Sequence, residues 1–392
     1  MNLPLEGMTI LDCTQVMAGP YATLLLADMG AEIIKIEKPE GDDSRKMGPP
    51  FIHGESAAFL GINRNKRSVV LDLKSKIGQE VFKDIAKQVD VVAENFKPGT
   101  MEKLGLGFDV LRENHPELIF LSISGFGQTG PYQNRPGYDL LAQGMSGIMS
   151  VTGYPNSPPV KVSIPIADLS AGMFAAYGVL SAYIHRLKTG KGQLVDTSLM
   201  ESAIALTVWE SAEYWGSSSI PKPMGSSHRL VAPYQAIESA DGFFNIGIAN
   251  QNNYVKFCAA INRPDLLTDD RFIDNPNRMI NYQKLADEIQ KTTRTKSSEK
   301  WLEIFNSHGV PAGPIYTMED VYLDPHVKHR KMIQVLDHPT AGPVKHIGIP
   351  VKLSETPGSI RLPAPTLGQH TRSVLAHYGI SAEVIEKIAS DT

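Results

Sequence analysis

Residues 8–37 constrain the fold more than any other stretch of this chain. MTILD is a short apolar strand, GPYATLLLADMG reads as a helix with Pro20 near its first turn and Gly30 as its stop, and EIIKIE is a second strand. A helix between two strands points to a parallel pair with a crossover connection, since parallel neighbours cannot be joined by a tight hairpin. The alternation continues with SVVLDL, a helix over 75–88, DVVAEN, a helical stretch over 100–114, and LIFLSIS. Up to residue 125 the pattern predicts a doubly wound, Rossmann-like α/β domain.

A loop marked by Gly and Pro, GFGQTGPYQNRPG, follows, then small-residue helices around 138–149 and 168–186 and a strand at LVDTS. Residues 215–230 lose periodicity and collect Gly, Ser and Pro, as a linker does. A second unit spans roughly 231–318, with a strand at FFNIGIA and helices near 252–261, 282–293 and 297–307. Residues 325–370 suggest a long extended return, and a terminal helix from Thr371 packs back on the first domain. At 392 residues the chain exceeds the roughly 250–300 at which one core stops growing. The expected division is a large domain over 1–214, a linker over 215–230, a smaller α+β domain over 231–324, and a return over 325–392 that completes the large domain.

A formal net charge of −4 offers no general attraction to nucleic acid or anionic lipid, so phosphate on a ligand must meet local cations or helix N-termini. The two cysteines, Cys13 and Cys258, make neither a disulfide framework nor a metal spacing. The opening MNLPLEGM lacks the layout of a signal peptide, and Ala171–Ile184 is too short for the ~20 residues of a bilayer span. These features predict a cytoplasmic protein with neither a nucleic-acid nor a membrane partner.

Three tempting motifs fail. Gly125, Gly127 and Gly130 have the GxGxxG spacing, yet Pro131, Pro136 and Gly137 stand where a dinucleotide site needs a helix to open. His326 and His329 in HVKHR lack the intervening acid of a zinc helix, and no metal site is expected. Ser146 and Ser170 both fall short of the GxSxG nucleophile elbow.

What survives is IADLSAG. Asp168 stands where a helix begins after Pro165, and from position alone it is a capping residue worth ~1 kcal/mol. The same carboxylate could attack a thioester, whose thiolate leaves readily. Such a group must be ionised near neutral pH, which a helix N-terminus would favour by lowering its pKa. The Gly, Ala and Ser that follow leave room for an acyl group.

The blocks LEGMTILDCTQVMAGPYAT, GAEIIKIEKPEGDDSR, NRNKRSVVLDLK, VVAENFKPGTMEKLGLG, SISGFGQTGPY, PGYDLLAQGMSG, IADLSAG, KTGKGQLVDTSL, PYQAI and LGQHT occur in the order typical of one family. Through them the chain resembles the class III CoA-transferases, the formyl-CoA transferase and carnitine CoA-transferase family, along nearly its whole length. The resemblance implies a Rossmann-like large domain completed by the C-terminus, a small domain, and an intertwined homodimer. It implies a coenzyme A thioester as substrate, with no permanently bound cofactor, and a carboxylic acid as acceptor. It makes Asp168 the nucleophile that forms an acyl anhydride and then an aspartyl–CoA thioester. Val16 and Ala18 would lie against adenosine; Lys38 and Lys103 would meet phosphate; Leu71, Leu73, Lys74, Asn95 and Phe96 would line the adenine and pantetheine channel. Taken alone, the lysines read equally as solvated surface, and Leu71 and Leu73 as strand core.

Acyl-CoA racemases share this fold but carry His at the position of Tyr138. A phenol with an ordinary pKa of about 10 is a poor base, so Tyr138, tuned by Asp139, favours transfer over racemisation. The stretch IGIANQNN departs from the glycine-rich lid of formyl-CoA transferases. Gly247, Asn250 and Gln251 there are either a loop for a larger polar acceptor or a surface turn. The pattern is most similar to the succinate–hydroxymethylglutarate CoA-transferase branch, which implies a dicarboxylate. Arg229 could meet a distal carboxylate or be an exposed linker residue. The rival readings are a racemase and a CoA-ester-binding scaffold without turnover.

Overall fold

The computed structural model describes residues 3–390 and divides by internal contacts into two compact units. The first comprises Met1–Ile148, Lys161–Trp209 and Pro325–Thr392. Its centre is a parallel sheet of six strands, β1 (Thr9–Asp12), β2 (Glu32–Glu37), β3 (Lys66–Val70), β4 (Val91–Glu94), β5 (Ile119–Ser124) and β6 (Leu194–Ser198), in the order β3-β2-β1-β4-β5-β6. Both neighbours of β1 run parallel to it, with Leu11 opposite Ile34 on one side and Val92 on the other. The order reverses between β1 and β4, and in open α/β sheets the crevice beyond the strand ends at such a point is where ligands bind.

Alternate strand residues supply two cores, as a sheet covered on both faces requires. Ile10, Ile33, Val91 and Ile119 pack with helices α1 (Ala18–Asp28) and α4 (Ile166–Thr189). Leu11, Ile34, Val92 and Phe120 pack with α2 (Lys76–Ala86) and the helices Thr371–His377 and Ala382–Ser390. Helices α1 and α4 touch through small residues: a Cβ on Gly172 would lie 2.8 Å from the Ala18 carbonyl oxygen.

The motif NRNKRS proves to be the clasp for the C-terminal return. Asn65 accepts from the amides of Arg361 and Leu362 at 2.7 and 2.9 Å, and Arg64 pairs with Asp28 at 2.6 Å while donating to the Ile347 carbonyl at 2.8 Å. That return is not simply extended. It contains a short helix, Pro325–His329, and an antiparallel hairpin pairing Ile333–His338 with Gly342–Ile347. The expected terminal helix is two helices, separated at Gly379, whose φ of +78° suits glycine. The helical stretch over 100–114 is likewise two short helices, Thr100–Lys103 and Phe108–Arg112, parted by Gly105 at φ +67° and Gly107.

The second unit comprises Met149–Val160 and Glu210–Asp324. A three-stranded sheet, β7 (Tyr234–Glu238), β8 (Phe243–Gly247) and β9 (Ala312–Pro314), is antiparallel throughout, in the order β9-β8-β7. Helices Gln251–Ala260, Tyr282–Thr293 and Ser298–Ser307 cover it around Trp301, Phe305, Phe257 and Phe244. Residues 215–230 belong to this unit instead of forming a free linker. The helix Val208–Ser217 reaches into them, and the Gly225 amide donates to Gly153 at 2.8 Å. Arg229 is held at 3.1 Å by each of Glu210 and Glu213 and donates to the Lys222 carbonyl, so its guanidinium is already engaged.

Candidate active site

The loop after β1 lies at the switch point and has no glycine until Gly19. Buried charge holds it instead. Asp12, fully buried, accepts from the Thr14 amide at 2.9 Å and from Thr23 at 2.6 Å, and pairs with Lys66 at 3.2 Å. Lys35 donates to the Thr14 carbonyl at 2.8 Å and pairs with Asp42 at 2.7 Å. Burial alone would raise the pKa of Asp42, but Lys35 and the Ser44 amide outweigh it and bring the carboxyl down to about 2. The other Asp42 oxygen accepts from the Val16 amide at 3.2 Å. Val16 sits at φ +67°, a left-handed conformation that costs a β-branched residue roughly 1–3 kcal/mol and persists because its surroundings fix it. Asn95, just beyond β4, clamps the same loop by pairing its amide with both the N–H and the C=O of Gln15 at 2.8 Å.

Beside this loop two glycines cross. A Cβ on Gly125 would lie 2.4 Å from the Gly137 Cα, so the loop after β5 and the turn before helix α3 (Asp139–Met145) touch backbone to backbone. That contact fixes Tyr138 and Asp139. Asp139 then reaches across to α4, where its Oδ1 accepts from the Ala167 amide at 2.9 Å.

The structure corrects the expectation for Asp168 in two ways. The N-cap of α4 is Pro165, and Asp168 lies inside the first turn with no capping bond. The orphan amide at Ala167 is satisfied by Asp139 instead, which leaves the Asp168 carboxylate without a hydrogen-bond or ion-pair partner among the described residues. Nor is its pKa lowered. Burial, with the Asp139 carboxylate adding to it, pushes Asp168 up to about 7. A desolvated carboxylate of raised basicity, free of donors, is a stronger nucleophile than a solvated surface aspartate.

Asp168 opens into a cleft of about 570 Å³. Val16, Ala18, Asn95, Phe96, Tyr138 and Asp139 line it, so seven of the predicted residues, counting Asp168, meet there. Tyr138 is 70 % exposed. The five other residues expected to contact CoA do not line the cleft. The Leu71 side chain is buried in the core and Leu73 packs against that core, because both lie on the face covered by α2. Lys74 and Lys103 are exposed outside the cleft. Lys38 is paired at 2.7 Å with Asp43, which does line the cleft. The cations on the cleft wall are Lys97 and Arg135, which sequence reasoning passed over although they lie in or beside the quoted blocks ENFKPG and PGYD.

Gly247, Asn250 and Gln251 belong to the second unit. Asn250 caps the helix Gln251–Ala260 by accepting from the Asn253 amide at 2.9 Å, and Gln251 accepts from the Arg278 guanidinium at 2.9 Å. The Asn250 and Gln251 side chains are thus engaged at a helix start. Among the described residues no three His, Cys, Asp or Glu gather to hold a metal, and no helix is long and apolar enough to cross a membrane.

A Rossmann-type sheet whose switch-point cleft holds a donor-free aspartate at the start of a small-residue helix defines an α/β protein with a ligand cleft of enzyme type. A family model, CoA-transferase family III, matches residues 5–371. The chain is 38 % identical over 373 residues to succinyl-CoA:glutarate CoA-transferase of Mus musculus, covering 95 % of this chain and 86 % of that protein. It is 39 % identical over 386 residues to succinyl-CoA:mesaconate CoA-transferase of Haloarcula hispanica, covering 96 % of each. Among solved structures, a CaiB/BaiF family protein from Brucella suis superposes with a TM-score of 0.86 at 36 % identity, covering 96 % of this chain and all of that one. The chain belongs to CoA-transferase family III and is a CoA-transferase.

Proposed function

We propose that this enzyme moves CoA from succinyl-CoA, or another dicarboxylyl-CoA, to a carboxylic acid acceptor, with Asp168 as the covalent carrier. The observation that carries the reading is the half-buried, donor-free Asp168 carboxylate opening into the switch-point cleft. One Asp168 oxygen attacks the thioester carbonyl, the C–S bond breaks and CoA leaves as thiolate, forming a mixed anhydride. The thiolate then attacks the aspartyl carbonyl and releases the donor acid, leaving an aspartyl–CoA thioester. The acceptor carboxylate attacks that carbonyl and expels CoA. CoA finally attacks the new acyl carbon, which yields the product thioester and regenerates Asp168. Lys97 and Arg135 on the cleft wall suit the phosphates of CoA, and the exposed Tyr138 hydroxyl is free to donate to an oxyanion. The dicarboxylate preference draws on relatives named for succinyl-CoA as donor.

Racemisation would need a base beside the α-carbon, and no imidazole is among the described residues lining the cleft. The protein acts as an intertwined homodimer in this reading. Along α4, Met173, Tyr177, Ile184 and Leu187 form an exposed apolar stripe, the kind of surface a monomer rarely leaves bare. The buried free thiols of Cys13 and Cys258 suit a reducing, cytoplasmic setting without requiring one. The test is CoA exchange from succinyl-CoA over a panel of mono- and dicarboxylates, read by mass spectrometry. Asp168→Ala abolishes exchange, and hydroxylamine added during turnover converts Asp168 to a hydroxamate. Modification of a serine instead would overturn the mechanism.

A further inference from the structure

Gln143, on the inner face of α3, is fully buried, and every polar atom of its amide is used. Its Oε1 accepts from the Val162 amide at 2.9 Å, which fixes which end of the side chain is oxygen. The Nε2 donates one hydrogen to the Val162 carbonyl at 3.2 Å and the other to Asp139 Oδ2 at 2.7 Å. The remaining Asp139 oxygen accepts from the Ala167 amide. These bonds close a ring from α3 to the segment 162–167 and back, and Asp168 is the next residue along the chain. A buried primary amide is costly unless fully paired, so this one specifies a single arrangement. We propose that Gln143 is a positioning residue that acts on Asp168 through Asp139, by pinning the Asp139 carboxylate against the first turn of α4.

The consequence is electrostatic. Asp139 is the charge that adds to burial in raising Asp168. The other charged or titratable groups of the cleft are Asp43 after β2, Lys97 after β4, and Arg135 and Tyr138 ahead of α3; α1 presents Tyr21 to α4. None of these is tied to Gln143. If Gln143 loses its amide, Asp139 loses the donor that holds Oδ2 and can turn away from α4. The repulsion felt by Asp168 then falls, and its carboxyl ionises at lower pH. The inference rests on the proposed role of Asp168 for its meaning, but its test reads ionisation and no turnover, so the two can fail separately.

The experiment is carboxyl ¹³C NMR of the full-length protein carrying labelled aspartate, with the Asp168 signal assigned by its loss in Asp168→Asn. Asp139→Asn should lower the Asp168 midpoint by about 1 pH unit, the scale of a neighbouring like charge. Gln143→Met should lower it in the same direction, and the double variant should match Asp139→Asn alone, because the two residues act as one unit. If Gln143→Met does not fold, Gln143→Glu keeps the shape. A proton shared with Asp139 leaves at least one negative charge at the pair, so the midpoint should stay at or above the parent's. An unchanged midpoint in Asp139→Asn or Gln143→Met, additive shifts in the double variant, or a fall in Gln143→Glu would each overturn the proposal.

Discussion

Replacing Asp168, the proposed nucleophile, should make this protein more stable, in a strictly pH-dependent way. In Asp168→Asn the shape is kept and the titrating carboxyl is removed. Asp168 ionises near 3.8 when solvated and near 7 in the fold, because burial and Asp139 penalise its charge. Between those values the folded protein holds a proton that the unfolded chain releases. Stability therefore falls as pH rises, by about 1.4 kcal/mol per unit. The loss is absent below pH ~4 and complete above pH ~7, where it amounts to about 4 kcal/mol. The variant carries no such penalty, so its advantage over the parent should grow from nothing at pH 4 to about 4 kcal/mol at pH 8. For a protein of this size that corresponds to a Tm gain of roughly 5 °C. Urea unfolding of both proteins at equal concentration, at pH 4, 5.5, 7 and 8, reads the difference directly. A difference that does not change with pH, or an asparagine variant less stable at pH 8, would refute the reasoning. The same variant should show no CoA exchange, so stability and activity trade at one atom.

Three further outcomes follow from the geometry. Gly137→Ala places a methyl 2.2 Å from the Gly125 Cα, so it should displace Tyr138 and Asp139, cost about 1–3 kcal/mol in urea unfolding and reduce exchange by more than tenfold. Lys97→Ala and Arg135→Ala should each raise KM for the CoA ester about tenfold with kcat little changed, whereas Lys38→Ala, whose partner is Asp43, should stay within about twofold in steady-state assays. His346 is buried with both ring nitrogens unpartnered, and burial together with Arg64 lowers its pKa to about 4. The unfolded chain gains a proton near pH 6.5 that the fold accepts only near 4. Stability should drop by about 3 kcal/mol as pH falls across that window, and His346→Phe should remove that dependence in the same unfolding assay.

Much of the first unit was legible because its signals are local. Apolar runs such as EIIKIE and LIFLSIS, separated by helical periodicity, dictate parallel strands wherever they fold, and β1 to β5 and the helices between them lie close to their expected places. The blocks around Asp168 were equally local, so the family could be read before any coordinate. Boundaries were less secure where a single glycine outweighs periodicity, as at Gly105 and Gly379. The second unit's extra segment, Met149–Val160, was invisible because its place depends on pairing with residue 225, far away in the chain.

The sequence by itself determined the α/β class, the family and the identity of Asp168 as the residue to watch. Tertiary structure decided what kind of carboxylate Asp168 is. Position alone makes it a cap of lowered pKa. The fold passes that task to Asp139, brought in by the contact of Gly125 with Gly137 and held by Gln143. It likewise placed Lys97 and Arg135 on the cleft wall, while Lys38 and Lys103, expected at phosphate, lie off it. Residue type and neighbours in sequence cannot encode desolvation or repulsion between groups 29 residues apart, because both depend on distances that exist only once the chain has folded.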